Sequence, residues 1–219
     1  MSSIKSGRGG KGGYHHGDLR NALVEAAVDL AAEGGPERVV LREAARRVGV
    51  SPTAAYRHFS GQGDLLEAVK LHGQQALAAS MAEAARALPA DDDPGEAAER
   101  RMKAIGRGYI RFAIDQPGLY RTAFCRTPMN ETGAFTGLVA PDDSPEFLAF
   151  RVLSEALDAL LASGRMRPES RRAAEVAAWA GVHGLSLLIL DGPLALLPAG
   201  ERDDVVERTL TAIAAGLTR

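Results

Sequence analysis

The sequence predicts an all-α protein, and three observations predict it. Hydrophobic residues make up 46% of the 219 positions but aromatic residues only 5%, and an Ala-rich apolar fraction of that kind favours helices over sheets. Apolar side chains recur at i, i+3/i+4 and i+7 through most of the chain, the spacing of one helix face. The breaks between these stretches, at GGP (34–36), VGVSP (48–52) and PADDDPG (89–95), carry residues that stop one helix and cap the next. The chain is long enough for a small N-terminal unit and a larger helical bundle.

Residues 1–13 (MSSIKSGRGGKGG) hold too much Gly and Ser to pack, and Lys5, Arg8 and Lys11 make them a flexible basic arm. Two readings of the arm stay open: a solvated tail, or a segment that orders in a DNA minor groove. His15, His16 and Asp18 invite a metal reading, but Asp18 is better placed as the N-cap of a first helix, Leu19 to Glu33, whose stripe is Leu19, Leu23, Ala26, Ala27 and Leu30. No metal and no other cofactor is expected. Gly34-Gly35-Pro36 ends that helix.

Leu41 to Arg47 reads as a short helix with Ala44, Ala45 and Val48 turned inward and Arg42, Arg46 and Arg47 outward. Gly49 suits a positive-φ stop, Val50 drops towards the core, and Ser51-Pro52 places an N-cap before a proline at N1. A second helix, Thr53 to Phe59, then presents Thr53, Tyr56, Arg57 and His58 on one side, all able to donate to phosphate or base edges. Two short helices about a tight turn, the second polar on its outer face, form a helix-turn-helix pattern.

The segment Tyr14 to Leu66, including LREAARRVGVS and TAAYRHF, resembles the N-terminal domain of the tetracycline-repressor (TetR) family of bacterial transcription regulators. The resemblance implies a three-helix DNA-binding domain over 14–66. It places Arg42, Thr53, Tyr56, Arg57 and His58 at DNA-contacting positions, with Ser51, Pro52 and Ala54 beside them. Arg57 suits a bidentate contact to guanine, Tyr56 and His58 suit phosphates. The chain departs from the family at Gln62, where a lysine usually meets a phosphate at the start of the next helix; Gln62 can donate a hydrogen bond but releases no counterion.

That next helix, Gly63-Asp64 then Leu65 to about Leu88, buries Leu65, Leu66, Val69, Leu77 and Met81 and, by the resemblance, links the DNA-reading domain to an effector-binding and dimerisation domain over 67–219. Beyond it the expected elements are a helix from Glu96 to Gln116, a short one from Pro117, a loop over 127–144 with Met129, Phe135 and Leu138 as apolar anchors, a helix capped by Ser144-Pro145-Glu146 and running to about Ser163, and one opening at Pro168. The run WAGVHGLSLLILDGPL is so continuously apolar that both its faces need cover, and with the final helix, Arg202 to Leu217 (Val205, Val206, Leu210, Ile213, Leu217), it predicts a four-helix homodimer interface. Trp179, His183 and Gly184 resemble the WHG-type C-terminal domain of one branch of these regulators.

Met102, Tyr109, Phe112, Tyr120, Phe124, Phe147, Phe150, Trp179 and His183 are candidates either for core packing or for the wall of an effector cavity between helices. Trp179 and His183, four apart, share a face and either meet one ligand or one another. Cys125 beside Arg126 reads as a small hydrophobe or, if the arginine lowers its pKa, as a thiol sensor. A single cysteine excludes an internal disulfide, and no run of about 18 apolar residues suggests a membrane span.

The net charge of −2 divides unevenly: residues 1–60 hold nine Lys/Arg against six Asp/Glu, a balance of +3, which leaves −5 for the rest. A basic end on an acidic body fits a module that touches phosphates and one that does not. The function expected is that of a cytoplasmic, non-enzymatic repressor that binds a palindromic DNA operator as a homodimer and is released by a small-molecule effector. Two alternatives remain: an enzyme using His183 as base with Asp191 or Glu175, and an interaction module that has lost DNA binding, suggested by Gln62 and the small Ala54-Ala55.

Overall fold

The computed structural model describes residues 16–90, 93–125 and 147–218, with side chains from residue 19 onward. The basic arm, His15, Arg126, the 127–144 segment with Met129, Phe135 and Leu138, and the Ser144 cap lie outside the described residues. Among the described residues all regular structure is helical.

The first helix, α1 (His16–Gly34), starts three residues earlier than its stripe suggests, so Asp18 lies within its first turn and does not cap it. Gly34 closes it, Gly35 takes a φ of 85°, and a 3-10 turn, Pro36–Arg38, follows. Helix α2 (Leu41–Val48) and the four-residue α3 (Pro52–Ala55) come next. The long α4 (Gln62–Arg86) begins at Gln62 itself, with the Asp64 carboxylate accepting from the Ser60 amide at 3.0 Å in front of it.

Asp93 caps α5 (Pro94–Asp115) by accepting from the Glu96 amide at 2.8 Å, with proline at the first helical position, so this helix too starts before its apolar stripe. It is followed by α6 (Pro117–Ala123) and α7 (Leu148–Ala162). The single helix expected from Pro168 is two: α8 (Pro168–Arg171) and α9 (Ala174–Leu190), divided where Arg172 is extended and Ala173 adopts φ 59°. That break turns Glu175 into the interior, where it takes Arg171 at 2.6 Å and Ser154 at 2.9 Å. The last helix is α10 (Ala199–Leu217).

Helix α5 is the axis of the bundle, buried along most of its length and packed by α4, α7, α9 and α10. It can lie this close to α4 because Gly108 has no side chain: a Cβ there would stand 2.6 Å from the Ser80 carbonyl oxygen. The Ser80 hydroxyl donates to the Gly108 carbonyl at 2.9 Å across the same contact. One buried cluster runs without a break from Leu23, Leu41 and Phe59 through Leu77 and Ile105 to Ile189 and Leu210. A second, at the far end of the bundle, gathers Ala98, Met102, Leu157, Leu160, Met166 and Leu217.

The apolar stripe of α10 seats inside its own chain: Leu210 lies over Gly106 and Ile213 over Gly181. Helix α9 is covered on one side only, since Leu187 and Leu188 are 42% and 44% exposed, and Leu196 just beyond is 95% exposed. A single chain therefore does not supply the two-sided cover that this sequence calls for.

Candidate nucleic-acid interface and effector site

The turn between α2 and α3 is built from three short-range devices. Gly49, at φ 78° and ψ 27°, closes α2 in the left-handed region, and its amide donates back to Ala45 and Arg46. The Val50 amide donates to the Ala45 carbonyl at 3.0 Å. Ser51 then accepts the Ala54 amide on its hydroxyl at 3.2 Å, and Pro52 occupies the first helical position.

Beyond Ala55 the expected helix to Phe59 tightens into overlapping turns, in which the His58 and Phe59 amides both donate to the Ala55 carbonyl, at 2.9 and 3.1 Å. Two buried anchors impose this path: Ala55 is fully buried and Phe59 is 1% exposed, with the Arg20 guanidinium 4.9 Å above its ring. Ala55 is small because it faces the core, so its size says nothing about lost contacts outside. Thr53, Tyr56 and Arg57 are exposed and Ala54 and His58 half-buried, with Arg42 exposed on α2 and Gln62 exposed at the start of α4.

Charge sorts the arginines of this surface. Arg46 donates to Glu43 at 2.8 and 2.9 Å, and Arg47 forms a two-pronged pair with Glu33 of α1 at 2.7 and 2.8 Å. The Arg46 hydrogen bond, helped by Arg47, holds the Glu43 carboxyl down to about 2, and Arg47 lowers Glu33 in the same way. Among the described residues, Arg42 and Arg57 have no acidic partner. The outward arginines of this surface thus divide into Arg46, paired within α2, Arg47, which ties α2 to α1, and two whose charge is unopposed. Glu33 and Arg47, fourteen positions apart, leave no local signal in the sequence.

In the bundle, five of the nine cavity candidates converge. The Tyr109 and Tyr120 hydroxyls each lie 2.8 Å from His183 Nδ1 and 3.3 Å from each other, and the Trp179 indole donates to the Tyr109 hydroxyl at 3.1 Å. Phe124 packs edge-on to the imidazole at 4.9 Å between ring centres, and Trp179 lies at 5.5 Å. Trp179 and His183 therefore meet one another through a common tyrosine. Burial pushes both phenols up, Tyr109 the further, and pushes the imidazole down, so all three are neutral near pH 7.

The other four candidates lie elsewhere. Met102 belongs to the second cluster, Phe112 is 4% exposed in the main core, and Phe147 and Phe150 are half-buried where α7 begins. Burial raises the Cys125 thiol and Lys70 only partly opposes this, which favours the small-hydrophobe reading of Cys125; Arg126, on which the thiol-sensor reading turns, lies outside the described residues. Neither proposed acid reaches His183, because Asp191 is held by Arg121 at 2.5 and 3.2 Å and Glu175 by Arg171 and Ser154.

Tyr120 sits on α6, which packs on α1 and the Pro36–Arg38 turn as well as on α4 and α5. Gly118 of α6 packs so tightly on the C-terminal turn of α1 that a Cβ would collide with the Ala31 carbonyl oxygen and stand 2.8 Å from that of Ala32. Gln74 of α4 donates to the Ala123 carbonyl at the other end of α6, at 3.2 Å. Sequence reasoning missed this joint; its only trace is a glycine immediately after a helix-opening proline.

Comparison with known proteins decides the family. Residues 102–213 match the family model described as "Tetracyclin repressor-like, C-terminal domain", and residues 23–69 match "Bacterial regulatory proteins, tetR family". The chain belongs to the TetR family. Its all-helical architecture agrees with solved TetR-family structures, and it is a DNA-binding transcription regulator with a helix-turn-helix, not an enzyme.

Among curated proteins, this TetR-family chain is 24% identical over 110 residues to the uncharacterized HTH-type transcriptional regulator YobS of Bacillus subtilis, a match taking in 50% of this chain and 53% of that one. A protein of unknown function from Rhodococcus sp. RHA1 shares the fold with a TM-score of 0.71 at 24% identity, over 95% of this chain and 100% of the other. A TetR-family transcription regulator of Marinobacter aquaeolei shares it at 0.59 and 18% identity, over 91% and 95%. No helix among the described residues is long and apolar enough to cross a membrane.

Proposed function

We propose that this regulator is a repressor that binds a near-palindromic operator as a homodimer and is released when a small molecule enters the bundle. In this reading residues 14–66 form the DNA-binding domain and residues 67–219 the effector-binding and dimerisation domain, and the protein works in the cytoplasm. The observation that carries it is the surface of α2 and α3: a serine-capped, proline-started helix presenting Thr53, Tyr56 and Arg57 outward, with the unopposed charges of Arg42 and Arg57 beside it.

Two such helices, related by a two-fold axis, would enter successive major grooves about 34–36 Å apart. Arg57 reads guanine, Tyr56, His58, Arg42 and Gln62 hold the backbone, and Ser51, Pro52 and Ala54 keep the helix end close to it. Release needs little energy: a coupling of about 1–3 kcal/mol changes operator affinity roughly 5- to 150-fold. Helix α6 provides the route, since Tyr120 at one face joins the His183 cluster and Gly118 at its start grips α1.

The test is a binding titration of the purified protein on the DNA flanking its own gene against a scrambled duplex, at several salt concentrations. The reading expects a sequence-specific complex containing two chains and a log–log salt slope of several units. Equal affinity for both duplexes refutes it.

A further inference from the structure

Taking the bundle as the effector site, the hydrogen atoms around His183 specify what the effector must offer. Two donors crowd one nitrogen: both phenol hydroxyls reach Nδ1 and each other, while the Trp179 N–H reaches the Tyr109 oxygen. An imidazole nitrogen holds either one hydrogen or one lone pair. If Nδ1 held the hydrogen, one phenol proton would have no acceptor in hydrogen-bond geometry among the described residues, since the Ser186 oxygen beside Tyr120 forms no such bond with it. If Nδ1 accepts, one phenol donates to it and the other donates to the first, and every hydrogen is placed. The neutral ring then carries its hydrogen on Nε2, which has no partner among the described residues.

Among the described residues, the side chains in ring contact with this imidazole are aromatic and uncharged. Phe124, Trp179, Tyr109 and Tyr120 ring the imidazole, with centres 4.9 to 6.4 Å from it. The nearest acids along α9 are committed, Glu175 to Arg171 and Asp191 to Arg121. A charged ligand would be desolvated here with no counter-charge among the described residues that ring the imidazole, whereas a flat apolar ligand with one acceptor would satisfy Nε2–H at little desolvation loss.

We propose that His183 Nε2–H is the polar anchor of the effector site and that it selects a neutral aromatic molecule bearing a carbonyl-type acceptor. Tyr109, Tyr120 and Trp179 are positioning residues: they fix the tautomer and aim the donor.

The experiment uses the full-length protein and three probes on one ring system: 2-acetonaphthone, its acceptor-free isostere 2-isopropenylnaphthalene, and the 2-naphthoate anion. Affinities come from calorimetry. The chain's one tryptophan is Trp179, so the single indole N–H resonance of 15N-labelled protein reports occupancy at this place. The ketone is expected to shift that resonance and to bind roughly fivefold or more tighter than the hydrocarbon, the worth of one uncharged hydrogen bond, and tighter than the anion. In His183→Leu the preference for ketone over hydrocarbon should vanish, while His183→Gln, which keeps an amide donor, should retain most of it. Should the leucine variant not fold, His183→Phe replaces it.

Equal affinity of ketone and hydrocarbon, tightest binding by naphthoate, or no shift of the Trp179 resonance overturns the proposal. Operator release is read separately on the same samples. Ketone bound at His183 without any effect on DNA would sink ligand control and leave the anchor standing; release of DNA by other molecules with no ketone binding would do the reverse.

Discussion

Arg46 and Arg57 lie on either side of the same turn, yet only Arg57 has its charge unopposed, because Glu43 neutralises Arg46. Arg57→Ala should therefore weaken operator binding and relax base preference at one position of each half-site, by about 1–3 kcal/mol of discrimination, as expected for a bidentate guanine contact. A competition series over single-base operator variants measures this; uniform weakening on every variant would reassign Arg57 to the phosphates. The buried cluster makes a separate prediction about pH. Burial lowers the His183 pKa below the 6.5 of a free imidazole, so as pH falls through that value the unfolded chain takes up a proton that the folded chain refuses. The stability is whole above pH 6.5 and declines below it. At the other extreme, Tyr109 is raised above its ordinary 10.0, so the unfolded chain ionises first and stability declines as pH rises past 10. Denaturant titrations of His183→Gln and Tyr109→Phe should show the acid and alkaline slopes, respectively, become shallower.

At the scale of elements, what the sequence discloses is what neighbouring residues decide. Gly49, Ser51 and Pro52 act through the next three or four amides, and their spacing alone located α2, the turn and the start of α3. Ser51→Ala should lower stability by about 1 kcal/mol, the usual loss when an N-cap is removed, with the midpoint of chemical denaturation as the readout. The end of α3 was not legible, because Phe59 is drawn in by a core assembled from α1 and α4. Nor was the division at Ala173, whose positive φ is set by what Arg171 and Glu175 reach on α7. The cluster at His183 was half legible: the four-residue step from Trp179 is local, but Tyr109 and Tyr120 join it across 74 and 63 residues. Helix α6 gives the sharpest element-scale prediction. Gly118→Ala must force α6 away from α1, and an overpacked contact of this sort typically loses about 1–3 kcal/mol. Gly108→Ala strains the α4–α5 contact to a similar degree but leaves the α1–α6 joint alone. If α6 transmits the effector signal, Gly118→Ala should change the ratio of operator affinities with and without effector, while Gly108→Ala lowers the melting temperature and leaves that ratio in place.

For the molecule as a whole, the unbalanced burial of α9 bears on assembly. Its inner face, Val182, Leu185, Ser186 and Ile189, is buried against its own chain, while Leu187 and Leu188 look outward beside the exposed Leu196. The final helix has turned its apolar stripe inward onto Gly106 and Gly181, so it would meet a second copy with its other residues, and α9 supplies most of the apolar surface for a dimer. A symmetric contact repeats each exposed leucine across the axis, which doubles the effect of any change there. Leu187→Glu with Leu188→Glu should accordingly bring like charges together at the axis and yield monomers by sedimentation at micromolar concentration, with the helical spectrum and the melting of the single chain little changed because neither side chain belongs to the core. The DNA consequence follows from geometry. A monomer binds one half-site, so the variant should lose the advantage of a full operator over an isolated half-site and should no longer respond when the half-site spacing is altered by five base pairs, a change that in the dimer puts the second reading helix on the wrong side of the duplex. A double variant that remains dimeric, or that still discriminates spacing, would place the subunit contact on another face and with it the arrangement of the reading heads.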